Sequence, residues 1–122
     1  MKYFFSLILL LSVLSHPVFA KPPQPIKFQK GESTSKIETG LVRGETKEYS
    51  VGAKEGQSMV VTIASYENNA VFQIHGPDGN DLTEENNETR QWEESLPETG
   101  KYIIQVSSLR GNADFVLLVS IQ

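Results

Sequence analysis

The stretch "SLPETGKYIIQVSSLRGNADFVLLVSI", Ser95 to Ile121, decides the fold. Two apolar runs, Lys101 to Leu109 and Ala113 to Ile121, are separated by the turn Arg110-Gly111-Asn112. In each run the large apolar residues recur at every second position: Tyr102, Ile104 and Val106, then Phe115, Leu117, Val119 and Ile121. A period of two places one side-chain set on one face of a strand, so both runs are predicted as β-strands with an inward and an outward face. Arg-Gly-Asn suits a hairpin connection, because glycine accepts a positive φ and asparagine tolerates one. In the last run, Val116 and Leu118 make the second face apolar too, which predicts a more covered place in its sheet.

The same pattern extends upstream. Further strands are expected at Ile26–Gln29, Ser35–Val42, Thr46–Ala53, Ser58–Ser65, Val71–His75 and Thr89–Leu96, with turns at Arg43-Gly44-Glu45, Lys54-Glu55-Gly56-Gln57, Pro77-Asp78-Gly79-Asn80 and Pro97-Glu98-Thr99-Gly100. Alternation adds Tyr49, Val51, Met59, Val61, Ile63, Phe72, Ile74, Trp92 and Leu96 to the inward set, with the core centred on Trp92, Tyr102, Ile104, Phe115 and Leu117. Glu94 shares the parity of Trp92 and Leu96, a conflict that a bulge or an early strand end would resolve. No run has helical periodicity. About eight short strands with frequent turns predict an all-β, antiparallel β-sandwich.

The first residues read as a secretory signal peptide. Lys2 precedes an apolar run from Phe4 to Leu14, and Pro17-Val18-Phe19-Ala20 supplies small residues before a cut after Ala20. A membrane span needs about 20 mainly apolar residues, and Ser12, Ser15, His16 and Pro17 interrupt this run. The expected organisation is a leader at 1–20, a loose Pro-rich arm at 21–25 and one β-sandwich domain at 26–122, exported to the periplasm or beyond. The sequence has no cysteine, which excludes a lipid anchor on cysteine, disulfides, a thiol nucleophile and thiolate metal sites. No membrane insertion is expected once the leader is removed.

The formal net charge is −4, which argues against a nucleic-acid partner. Acidic residues crowd the segment from Asp78 to Glu98, where Arg90 is the only basic residue, suiting either solubility or a cationic partner. Catalytic readings are weak. His75 is the only histidine after the leader and no Gly-x-Ser-x-Gly elbow accompanies it. Glu84, Glu85, Glu93 and Glu94 could supply the two acids of a glycosidase, but neighbours on a strand point to opposite faces. Asp78-Gly79-Asn80-Asp81 reads as a turn, because it lacks the glycine and glutamate offsets of a calcium loop. Asn87-Glu88-Thr89 fits a glycosylation sequon. Neither catalytic residues nor a metal or other cofactor are expected.

Several motifs together carry a resemblance: Phe28-Gln29-Lys30-Gly31-Glu32-Ser33, Gly40, Gly44 and Tyr49, Ala53-Lys54-Glu55-Gly56-Gln57, Gly76-Pro77-Asp78-Gly79, Leu96-Pro97 through Gly100-Lys101-Tyr102, and Val106, Arg110 and Ala113. The chain resembles the secreted β-sandwiches of the bacterial pre-peptidase C-terminal type, and within them the periplasmic inhibitors of g-type lysozyme. The likeness runs from Ile26 to Ile121. It implies a non-enzymatic inhibitor that obstructs the lysozyme cleft with polar loop residues, with lysozyme as its partner. It also implies a contact made by Arg110, flanked by Asn112, Ser108, Lys101 and Tyr102. The turn after Arg110 lacks the longer basic insertion seen in some members. A non-catalytic accessory or ligand-binding β-sandwich is the alternative.

Overall fold

The structure is a computed structural model, and residues 21–84 and 88–122 are described. The expected leader therefore lies outside the described residues, as do Glu85 and the sequon's Asn87.

Eight strands follow one another among the described residues: β1 Gln24–Pro25, β2 Thr34–Leu41, β3 Thr46–Ala53, β4 Ser58–Ser65, β5 Ala70–His75, β6 Gln91–Ser95, β7 Gly100–Ser108 and β8 Ala113–Ile121. They form two four-stranded sheets, ordered β1-β3-β7-β5 and β2-β8-β4-β6. Odd strands build one sheet and even strands the other. Every connection thus crosses between sheets, and no two consecutive strands pair. The hairpin expected at Arg110-Gly111-Asn112 is instead an arch: β7 pairs with β3 and β5, whereas β8 pairs with β2 and β4. The local turn chemistry is the same in both cases, and the inward faces decide the outcome. Both runs carry a continuous apolar inward face, and folding one sheet over the other buries Tyr102, Ile104 and Val106 against Phe115, Leu117 and Val119, all buried.

The arm is tied down. Gln24 and Pro25 pair in parallel with Tyr49 and Ser50, and the Ile26 amide donates to the Ser50 carbonyl at 2.8 Å. Strand pairing thus begins within the expected arm, and Ile26–Gln29 is not a strand. Instead Ile26 and Phe28 are half-buried against the core as the chain passes from the first sheet to β2. Proline fits here because an edge position needs no ladder donor from it.

The core otherwise follows the alternation. Met59, Val61, Ile74, Tyr102, Ile104, Val106, Leu117 and Val119 are fully buried, and Tyr49, Val51, Ile63, Phe72, Leu96 and Phe115 nearly so. Burial, with the Glu45 charge adding to it, raises the pKa of the Tyr49 phenol above its ordinary value. Trp92 does not take the central place expected of it: it packs half-buried against the cluster, because β6 is an edge strand. Its neighbour Glu94 is exposed. A charge on the core-side parity of an edge strand discourages pairing with another chain. The free side of β5 is covered by Leu82, Thr83 and Thr89 of the connection to β6. Leu82 donates to the Ile74 carbonyl at 2.8 Å, the Ile74 amide donates to Thr83 Oγ1 at 3.2 Å, and the Phe72 amide donates to the Thr89 carbonyl at 3.0 Å. β8 is interior to its sheet, as its two apolar faces suggested, although Leu118 remains 39% exposed on the outer face.

The turn before β7 depends on Gly100. Its φ is +153°, and a Cβ there would lie 2.8 Å from the ring carbons of Pro77. Proline cannot yield as a flexible side chain would, so Gly100→Ala adds backbone strain to a clash and should cost about 2–4 kcal/mol of stability. Thermal unfolding checks this. Pro77→Gly in the same chain should recover part of the loss, the sign of direct coupling.

Candidate functional site

Three arches meet at one end of the sandwich: Val42 to Glu45 between β2 and β3, Tyr66 to Asn69 between β4 and β5, and Leu109 to Asn112 between β7 and β8. Hydrogen bonds lock them together. Asn69, 3% exposed, donates through Nδ2 to the carbonyls of Arg110 and Asn112, each at 3.0 Å. The Leu109 amide donates to the Asn69 carbonyl at 2.8 Å. The Arg43 amide donates to Asn112 Oδ1 at 2.8 Å. Within the last arch, the Ser108 hydroxyl lies 2.9 Å from the Arg110 carbonyl and 2.8 Å from that of Gly111, and accepts from the Arg110 amide at 3.2 Å.

All three arginines of the sequence, Arg43, Arg90 and Arg110, come to this end. Arg110 is exposed, and its Nη2 donates to the Glu67 carbonyl at 2.8 Å. Arg90, just before β6, donates through Nη2 to the next carbonyl, Asn68, at 2.9 Å. A guanidinium has five N–H donors, so this bond fixes the direction of Arg110 while leaving donors for an anion. Three exposed large apolar side chains accompany the arginines: Val42, Leu109 and Tyr66, the last 100% exposed. A shallow open groove beside Tyr66 is bordered by Glu38, Ala64, Asp114 and Val116.

The structure brings Ser108, Arg110 and Asn112 together and does not bring Lys101 or Tyr102 to them. Lys101 is exposed at the opposite end of β7, roughly 25 Å along the strand at the usual rise per residue. Tyr102 is fully buried, and its hydroxyl donates to the Glu98 carbonyl and accepts from the Glu98 amide. It shapes the β6–β7 turn from inside. Sequence reasoning missed Tyr66, Asn69, Arg43 and Arg90. The signal was a tyrosine followed by Glu-Asn-Asn between two strands, an aromatic in a polar turn.

The other sequence candidates stand apart from this end. His75 is half-buried at the end of β5 and bridges to Asp81 through the backbone. Asp78 bonds the Asn80 amide and side chain, and Asp81 accepts from the Thr83 amide and hydroxyl. Among the described residues, no group of three or more His, Asp or Glu is placed to hold a metal. Adding calcium or a chelator should therefore leave the thermal midpoint unchanged, since a ligand specific to the native state raises it. A calcium-dependent rise would reopen the Asp78–Asp81 turn as a site.

The two-sheet sandwich defines a class of β-sandwich shared with the pre-peptidase C-terminal domain of a Bacillus anthracis collagenase, at TM-score 0.62, 14% identity and coverage of 85% of this chain and 100% of that one. A periplasmic lysozyme inhibitor of g-type lysozyme from Aeromonas hydrophila, PliG, is more similar: 30% identical, TM-score 0.71, covering 82% of this chain and 96% of that one. The Salmonella Typhimurium PliG shares the fold at TM-score 0.66 and 20% identity, over 84% of this chain and 100% of that one. Profiles of known families and curated protein sequences gave no match. Identity of 30% over nearly the whole Aeromonas hydrophila protein places the chain in its family: it belongs to the PliG family.

Proposed function

We propose that this protein is an exported, non-enzymatic inhibitor of lysozyme, of the g-type, which acts by seating the arch that carries Arg110 in the substrate cleft. The likeness to an Aeromonas hydrophila inhibitor of g-type lysozyme over 96% of that chain is the observation that carries the reading. The charge-bearing arch adds a mechanism. Glycosidases generally work through acidic side chains in their clefts, and an arginine presented on a rigid arch can pair with such a carboxylate through two donors. Ser108 and Asn112 hold the arch, and their exposed edges flank the contact. The accessory-domain alternative rests on the pre-peptidase likeness alone, which concerns the fold.

Lysozyme in the periplasm or outside the cell is reached only after export. Residues 1–20 are accordingly read as a leader cut after Ala20, and the mature N-terminus should be Lys21 by mass spectrometry.

The deciding experiment titrates the purified exported protein against goose-type, chicken-type and invertebrate-type lysozymes side by side. Inhibition of the goose-type enzyme at concentrations that spare the other two is expected. Absence of inhibition in all three would end the lysozyme reading, and inhibition confined to another class would end its g-type assignment.

A further inference from the structure

We infer that Tyr66 is an aromatic anchor of the lysozyme contact, held out by the β4–β5 arch and seated against the rim of the g-type cleft beside Arg110. This rests on the proposed lysozyme reading and adds to it a residue, an element and a kind of contact.

Tyr66 is 100% exposed. A lone exposed apolar side chain requires no explanation, but the arch beneath this one is fixed at many points. Asn68 adopts a positive φ of 56°. Its amide donates to the Ser65 carbonyl at 3.0 Å, and the Ala70 amide donates to Ser65 Oγ at 3.0 Å. Arg110 and Arg90 take the two consecutive carbonyls of Glu67 and Asn68. Asn69 is buried and bound to both carbonyls that frame the neighbouring arch.

An exposed four-residue connection would ordinarily keep much of its freedom, and ordering it costs entropy. Here that cost is met on folding, which leaves a rigid pedestal under one fully solvated ring. Preorganisation of this kind raises affinity by removing ordering costs from the binding step. Tyrosine also suits the position, because its ring supplies large contact area with few rotatable bonds and its hydroxyl can pair at the edge of a cleft.

The occupant follows from continuity. Arg110 bonds the carbonyl of the residue next to Tyr66, so a partner that takes the guanidinium meets the β4–β5 arch as well. Exposed Val42 and Leu109 lie on the adjoining arches and extend the apolar border. A cleft that takes up a polysaccharide chain offers long walls of mixed polarity, against which a ring with one polar tip can be buried.

The test uses two readouts on the exported protein. In titration against g-type lysozyme, Tyr66→Ala should inhibit at least about tenfold less well than wild type while unfolding at the same midpoint, the size expected when an interface anchor is truncated. Independently, tetranitromethane should nitrate Tyr66 in the free protein, since Tyr49 and Tyr102 are buried, and bound lysozyme should suppress that nitration in the peptide containing Tyr66. Equal inhibition by wild type and Tyr66→Ala, or an unchanged nitration rate in the complex, would overturn the anchor while the lysozyme reading stands. A wild type that does not inhibit would remove both.

Discussion

Arg110→Ala should weaken inhibition of g-type lysozyme by about 2–5 kcal/mol of binding, the usual cost of removing one partner of a buried, hydrogen-bonded charge pair. The effect should fall mainly on dissociation. Loss of the single exposed bond from Arg110 to Glu67 costs about 1 kcal/mol of folding stability at most, too little to unfold a protein with several kcal/mol in reserve. A fall in inhibition at a nearly unchanged midpoint therefore reports the contact. Two roles of the side chain remain to be separated, the clamp on Glu67 and the charge offered to the cleft. Arg110→Gln keeps a donor for the carbonyl and discards the charge. It should inhibit as poorly as Arg110→Ala if the charge carries the contact. Inhibition by Arg110→Gln at wild-type strength would assign the residue to the clamp alone.

Leu117→Ala should lower stability by about 2–5 kcal/mol, because the deleted atoms lose their burial and leave a cavity that rigid neighbours fill only partly. Leu117 is fully buried at the middle of β8, the interior strand, with Ile37 opposite on β2 and Ile63 opposite on β4. Hydrogen-bonded neighbours on both sides leave the backbone little room to collapse inward. For a chain of this size each kcal/mol moves the thermal midpoint by roughly 4–8 °C, so the drop is read directly in a melting curve. A midpoint within a degree of wild type would mean that the two sheets do not close over β8 as described.

Elements defined by side-chain alternation were legible in the sequence. β3, β4 and β8 occupy Thr46–Ala53, Ser58–Ser65 and Ala113–Ile121, the spans the apolar pattern sets. The inward residues of β7 follow by the same rule. What alternation cannot express is which sheet a strand joins, and so the arch at Arg110 read as a hairpin. Gln24 and Pro25 were illegible for a related reason, since a two-residue parallel edge pairing uses backbone groups and leaves no side-chain period. Trp92 was misplaced because parity gives a side of a strand and not the strand's rank in its sheet.

The candidate site was legible in part. Arg110, Ser108 and Asn112 lie close in sequence and stay close in space. Lys101 and Tyr102 are near them in sequence only, because a straight strand carries its ends apart. Tyr66, Asn69 and Arg90 come to the site from distant parts of the chain: the side chains of Asn69, Arg90 and Arg110 bond backbone carbonyls of neighbouring segments, contacts that exist only once the sheets are assembled.

The alternation of strands between sheets also governs how the chain can fold. With no neighbouring strands paired among the described residues, there is no hairpin to form first and template the next strand; the shortest antiparallel ladder between strands begins with His75 and Ile103, 28 residues apart, and β2 waits for β8. Loop closure must be met before any ladder rewards it, which slows folding. A chain emerging from synthesis would stay unfolded until β8 has appeared, so a slow refolding rate, with no early hairpin intermediate, is the kinetic counterpart of this topology.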